Sequence, residues 1–188
     1  GAYALCDCTG YRLDGTDTEP NMYVGMIINR SLADTTDSVT GLGDVHALVN
    51  AIGEMRRVPR EAGFIAIKVD DIAEVNARFG FDAGDRVLAE SAACLMDCSR
   101  GKGRLFRSTG PTFVALFDDL DPEETNAIAE EIERFLGSPV LIGSLEYQPP
   151  IRVATLHLDA VDRQPVSILN ELKALLGKAV QVPGTKLD

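Results

Sequence analysis

The sequence predicts a mixed α/β (α+β) domain, a central, mostly antiparallel sheet flanked by helices, with a β-hairpin appended at its N-terminus. Three observations carry that expectation. From residue 43 onward, stretches with a helical spacing of apolar residues alternate with short apolar runs of strand length. Near the middle, the stretch GRLFRSTGPTFVALF (Gly103–Phe117) places two apolar runs on either side of a Ser-Thr-Gly-Pro break, which reads as a tight hairpin and makes its strands antiparallel. The first 36 residues contain two β-like runs but too little apolar mass to form a core alone.

Taken in order, Tyr3 to Cys8 and Met22 to Asn29 are the two early strands, joined by a turn-rich stretch with Asp14-Gly15 and Pro20. Residues 30–36 read as a polar connector. Asp44 is a plausible N-cap for a helix whose Val45, Leu48, Val49, Ile52 and Met55 share a face. Phe64 to Val69 is a buried strand ending in the acidic pair Asp70-Asp71, Asp71 to Ala77 a short helix, RFGFDAGD a loop, and Ala83 to Cys98 a second long helix. After the hairpin, DPEETNAIAEEIERFLG marks its own boundaries: Asp121 as N-cap, Pro122 at N1, Glu124 closing a capping box and Gly137 as C-cap. Strands at Val140 to Tyr147 and Ile151 to Leu158, a helix at Ser167 to Ala179 and a short strand at Val180 to Val182 complete the chain.

The net charge of −11, with 29 acidic against 18 basic side chains, disfavours a surface that tracks a phosphate backbone, so no nucleic-acid partner is expected. Arg56, Arg57 and Arg60 read as solvated charges at a helix end. The cysteine pairs Cys6/Cys8 and Cys94/Cys98 lack zinc-site spacing, and His46 and His157 are isolated, so neither type is expected to ligate metal. No apolar run approaches the ~20 residues of a membrane span, and a cytoplasmic protein without membrane contact is expected. The opening GAYALCDC lacks an initiator Met, which suggests a piece of something longer.

Three stretches carry a family resemblance. DSVTGL (Asp37–Leu42) resembles the D-x-L-T-G-L opening of the GGDEF, or diguanylate cyclase, domain. VDDIAEVNARFGFDAGDRVL resembles its D-x-D-x-F-K-x-I-N-D-x-x-G-H-x-x-G-D-x-x-L, with Asn76, Gly80, Gly84 and Asp85 holding their spacing together. FRSTGPTFVALF stands where that family has R-Y-G-G-D-E-F. The resemblance covers 37–179, so residues 37–188 are expected to be a GGDEF-like domain; residues 1–36, similar to the last strands of a PAS sensor domain, are expected to be a PAS-like fragment and linker.

The family joins two GTP molecules into cyclic di-GMP across a dimer, the 3′-hydroxyl of one attacking the α-phosphate of the other. The resemblance implies guanine recognition by Asn76 and Asp85, and a carboxylate accepting from guanine N1 and N2 while an amide meets its acceptor edge suits those residue types. The plainer reading is that Asn76 caps the short helix and Asp85 starts the next. The catalytic half departs from the pattern: Lys68 stands at the first metal-binding Asp, Asp70 at the second, Ile72 at the Phe and Ala73 at the phosphate-contacting Lys. The signature loop reads Thr109-Gly110-Pro111-Thr112-Phe113, so one glycine and the Phe remain and both acids are gone. Arg100 is the remnant of the product-binding inhibitory R-x-x-D, and Lys178 an approximate stand-in for a late phosphate-binding Lys.

Phosphoryl transfer depends on positioning and on charge neutralisation by a carboxylate-held divalent cation, and losing ~3 kcal/mol of the latter costs about a hundredfold in rate. No catalytic residue and no magnesium site is therefore expected. Asp70 is the remaining metal candidate, set against the reading that Asp70 and Asp71 cap the next helix. The expectation is a catalytically inactive regulatory domain of a cyclic di-GMP-related multidomain protein. GTP is its candidate ligand through Asn76, Asp85, Lys68 and Gly110, and an EAL phosphodiesterase domain and an N-terminal sensor are its candidate neighbours. The alternatives are an active cyclase with noncanonical ligands and a purely structural interaction module.

Overall fold

The computed structural model describes residues 5–13, 22–30, 35–57, 60–99, 101–136 and 138–185. They fall into two compact units, Gly1–Thr35 and Thr36–Asp188. In the first, β1 (Leu5–Leu13) pairs antiparallel with β2 (Met22–Arg30), Leu13 opposite Met22. The proposed turn at Asp14-Gly15 and Pro20 lies outside the described residues, as do Tyr3, Arg100 and Gly137.

The second unit is built on a four-stranded antiparallel sheet in the order β4-β5-β3-β8, with β3 at Ala62–Val69, β4 at Arg104–Arg107, β5 at Thr112–Asp118 and β8 at Ile151–Leu158. β3 is central and apolar on both faces, as a strand covered on each side must be. Its odd-numbered residues Ile65, Ile67 and Val69 join Phe113, Ala115 and Phe117 of β5 in one core, against α3 (Phe81–Ser99) and α4 (Pro122–Leu136). Its even-numbered Phe64 and Ala66 join Val114 and Leu116 in a second core, against α1 (Val45–Met55) and α5 (Pro165–Lys178). The period of two thus sorts each strand between two helical layers.

The helix ends follow the expected chemistry. Asp44 accepts from the backbone N–H groups of His46 and Ala47 at 2.8 and 2.9 Å. The capping box of α4 is closed in both directions, Glu124 N–H to Asp121 Oδ1 at 2.8 Å and Asp121 N–H to Glu124 Oε2 at 3.4 Å.

Several expectations need correction. RFGFDAGD is helical: α2 (Ile72–Phe79) closes when Gly80 N–H bonds Asn76 O at 3.0 Å, and α3 begins at once with Phe81. Asp85 therefore lies inside α3, and Asn76 inside α2, rather than at a helix start or cap. Val140 to Tyr147 is two short strands, β6 (Val140–Ile142) and β7 (Leu145–Tyr147), folded on each other around Gly143-Ser144. The run at Val180 to Val182 contributes one bridge, Val182 to Ile151. Arg56 is bonded to Asp162 O and Gln164 Oε1, and Arg60 to Asp118, so neither is only a solvated charge.

Candidate functional site

The segment 37–43 ties the hairpin to the start of α1. Asp37 Oδ1 accepts from Thr40 N–H and Oγ1–H at 2.9 and 2.8 Å, while Arg107 Nη1 reaches both Asp37 oxygens at 3.0 and 3.2 Å. Burial pushes the Asp37 carboxyl up, but its hydrogen bonds to Thr40 and Arg107 and the Arg107 charge together hold it below the ordinary aspartate value. Arg107 Nε also donates to Gly110 O at 2.9 Å, fixing the hairpin tip. There Gly110 takes φ +55° and Thr112 N–H closes the turn on Thr109 O at 3.1 Å, as a turn with Gly before Pro requires. Sequence reasoning missed Arg107 as a structural link, although its place in the signature was visible.

At the end of β3, Lys68 Nζ lies 2.7 Å from Asp70 Oδ1. Asp70 Oδ2 accepts from Arg152 Nε at 2.8 Å and from Gln181 Nε2 at 2.7 Å, and Arg152 Nη1 continues to Ala179 O at 3.0 Å. The Asp70 side chain is 8% exposed. Burial raises its pKa, but the bonds from Lys68, Gln181 and Arg152 and the Lys68 charge outweigh it, and the group stays below the usual aspartate range. Arg152 and Gln181 were also missed by sequence reasoning. Asp71 occupies the N-cap position of α2 with φ +62° and makes no side-chain capping bond, so neither acid of the pair is a side-chain cap.

Asn76 and Asp85 come from adjacent helices. The Asn76 carboxamide packs over Gly84, where a Cβ would lie 1.9 Å from Asn76 Oδ1; that oxygen is buried and has no hydrogen-bond partner. Asp85 is exposed. Gly84→Ala is expected to displace the carboxamide and cost about 1 kcal/mol. In an Asn76→Ala background the same change should cost less. Urea titrations of the four proteins measure that coupling, and equal costs in both backgrounds would refute the contact.

Lys68, Thr109 and Thr112 line a cavity of about 620 Å³ between β3, β5 and α5, with Arg152 and Lys173. Asn76, Asp85, Gly110, Pro111 and Phe113 are not among its walls. Lys178 is exposed at the last turn of α5. Ile72 is half-buried against the core and Ala73 exposed. Cys94 is half-buried on α3; burial, then the neighbouring Cys98, pushes its thiol up to about 12, which leaves little thiolate at neutral pH.

The family model described as "Diguanylate cyclase, GGDEF domain" matches residues 35–148, more than half of the chain. The chain belongs to the GGDEF family. Among curated proteins, this GGDEF chain is 29% identical over 84 residues to "Diguanylate cyclase DgcS" of Shewanella oneidensis, covering 43% of this chain and 28% of that one. It is 28% identical over 113 residues to "Cyclic di-GMP phosphodiesterase PdeR" of Escherichia coli, covering 59% of this chain and 17% of that one. The matches thus span under a third of either relative. Among solved structures, the FimX GGDEF domain of Pseudomonas aeruginosa superposes with a TM-score of 0.73 at 16% identity, covering 78% of this chain and 94% of that one. Diguanylate cyclase SiaD of the same organism, solved with its activator SiaC, gives 0.71 at 22% identity, over 78% and 58%. Both likenesses establish the GGDEF fold of the second unit, the mixed α/β architecture expected from sequence.

GGDEF chemistry implies a divalent cation near the end of β3 and the hairpin tip, and the donors there do not fit one. An ammonium stands at the first position, both Asp70 oxygens already accept from cationic or amide donors, and Thr109-Gly110-Pro111-Thr112 offers no carboxylate. Among the described residues, no group of three or more His, Cys, Asp or Glu side chains is placed to hold a metal.

Proposed function

We propose that this GGDEF domain is a catalytically inactive regulatory module of a cyclic di-GMP-related multidomain protein and retains weak guanine-nucleotide binding through Asn76 and Asp85. The observation that carries this reading is Lys68 bound to Asp70, with Arg152 and Gln181 on the other oxygen, at the place where the family's metal ligands are expected. A hard divalent cation would have to displace three donors from one carboxylate. Purified protein with GTP and magnesium or manganese is expected to form no cyclic di-GMP above a no-protein control. Product that grows with protein concentration on chromatography would overturn the proposal and favour the active-cyclase alternative.

Nucleotide binding is a separate outcome. With Lys68 supplying a fixed positive charge, GTP is expected to bind weakly and with similar affinity in magnesium and in chelator. Calorimetric titration under both conditions, repeated with Asp85→Ala, tests this. Absence of heat in either condition would favour the purely structural module. The GGDEF match to part of a cyclic di-GMP phosphodiesterase supports a setting beside an EAL domain. We assign residues 1–36 to the end of a PAS-like sensor and linker and 37–188 to the GGDEF domain. No helix among the described residues is long and apolar enough to cross a membrane, and we place the protein in the cytoplasm.

A further inference from the structure

We propose that Cys94 and Cys98, one turn apart on α3, form a two-coordinate site for a soft monovalent metal cation of the cuprous type. The pair faces a different cavity from the one beside Lys68, and the proposal does not depend on guanine-nucleotide binding.

That cavity, of about 500 Å³, lies between α3, the C-terminal end of α4 and β6, and both cysteines line it. Cys98 is buried in the core that α3 and α4 share, Cys94 is half-buried against it, and the two thiols are hydrogen-bond neighbours. Residues four apart on a helix share a face with their Cβ atoms about 5–6 Å apart, whereas a disulfide needs about 3.5–4.5 Å. The intact helix therefore keeps the pair from closing on itself. An ion inserted between the two sulfurs lengthens the bridge and removes that conflict. The surroundings set the kind of ion. Every charged side chain lining the cavity is a carboxylate, Glu90, Asp97 or Glu131, which favours the approach of a cation over that of an anion. Phe135, Leu136 and Val140 form an apolar wall whose side chains offer no ligand atom. Among the described residues no third His, Cys, Asp or Glu is placed to complete the pair, so zinc, which takes four ligands, is poorly served, while a thiolate pair suits Cu(I). Binding is an exchange of protons for metal: two S–H bonds break, two S–Cu bonds form, both protons pass to solvent and no electron is transferred. The complex keeps one net negative charge, which the half-exposed Cys94 leaves in contact with water. Cys94 lies nine residues beyond Asp85 on α3, about 14 Å at the helical rise, and neither Asn76 nor Asp85 lines the cavity.

The test is an anaerobic titration of Cu(I) in competition with the chromophoric chelator bicinchoninate, using the whole chain with Cys6→Ser and Cys8→Ser so that the other two cysteines do not contribute. One Cu(I) per chain is expected to be withdrawn from the chelator, and copper-edge X-ray absorption should show two sulfur neighbours and no further ligand. Adding Cys94→Ser, or independently Cys98→Ala, should weaken binding by at least about a hundredfold, the upper end for losing even a residue that only supports a metal ligand. Cys94 is half-buried, so its variant is expected to stay folded, which circular dichroism checks. Zn(II) should be lost to an equimolar zinc chelator. No Cu(I) withdrawn from bicinchoninate, undiminished binding by Cys94→Ser, a third ligand at the copper, or zinc held as firmly as copper would each overturn the proposal.

Discussion

Replacing Asp70 by Ala is expected to lower the unfolding free energy by about 3 kcal/mol, the low end for breaking a buried ion pair because both partners keep some contact with water. The register places Lys68 directly opposite Arg152, and like charges in that position repel. Asp70, with its side chain 8% exposed, joins them and also holds Gln181, while Arg152 continues to the carbonyl of Ala179. Removing the carboxylate leaves two facing cations and deprives Gln181 of its acceptor, while the Val182–Ile151 bridge still holds the segment after α5 to the sheet. Asp70→Asn keeps the shape and one acceptor and should lose less. The pH dependence has a definite sign. The folded-state pKa lies below the ordinary 3.8, so the stabilisation is complete above that value and disappears as pH falls through the lower folded one. Urea titrations across that range should show wild-type stability converging on that of Asp70→Ala in acid. A loss under about 1 kcal/mol at neutral pH would mean that the network contributes little.

What was legible in the sequence was local. Asp121, Pro122 and Glu124 announced the start of α4 because capping chemistry acts over three residues, and β8 runs from Ile151 to Leu158 as expected. In place of the loop expected at RFGFDAGD the chain is helical, because Gly80 ends one helix and another starts at the next residue. The strand expected at Val140 to Tyr147 failed for a related reason: Gly143 was counted within the run, yet it is where the chain turns back. The site was legible as a set of motif positions but not as a network. Arg152 and Gln181 reach Asp70 across 82 and 111 residues of chain, and no periodicity spans that distance. The division between the cationic cavity and the Asn76–Gly84 contact is likewise a consequence of strand parity and helix layering, which appear only when the strands are paired.

Along the signature loop itself, Phe113→Ala is expected to cost about 4 kcal/mol, whereas Thr112→Ala should change stability by no more than about 0.5 kcal/mol. The two residues are neighbours, and the strand sends them to opposite faces. Phe113 is 1% exposed, opposite Ile67, in the core that α3 and α4 cover. Thr112 faces the cavity beside Lys68. Gly110→Ala is intermediate, about 1 kcal/mol, because φ +55° disfavours a Cβ. This ordering separates two kinds of signature position: those that keep the hairpin folded, Gly110 and Phe113, and those the family resemblance assigns to chemistry, where Pro111 and Thr112 now stand. If the loop is a structural hairpin freed from catalysis, loss of stability should follow burial and backbone conformation alone. Urea titration of the three variants measures it. A Thr112→Ala cost approaching that of Phe113→Ala would show that the cavity face of β5 is packed as tightly as the core, and the distinction between the two kinds of position would fall.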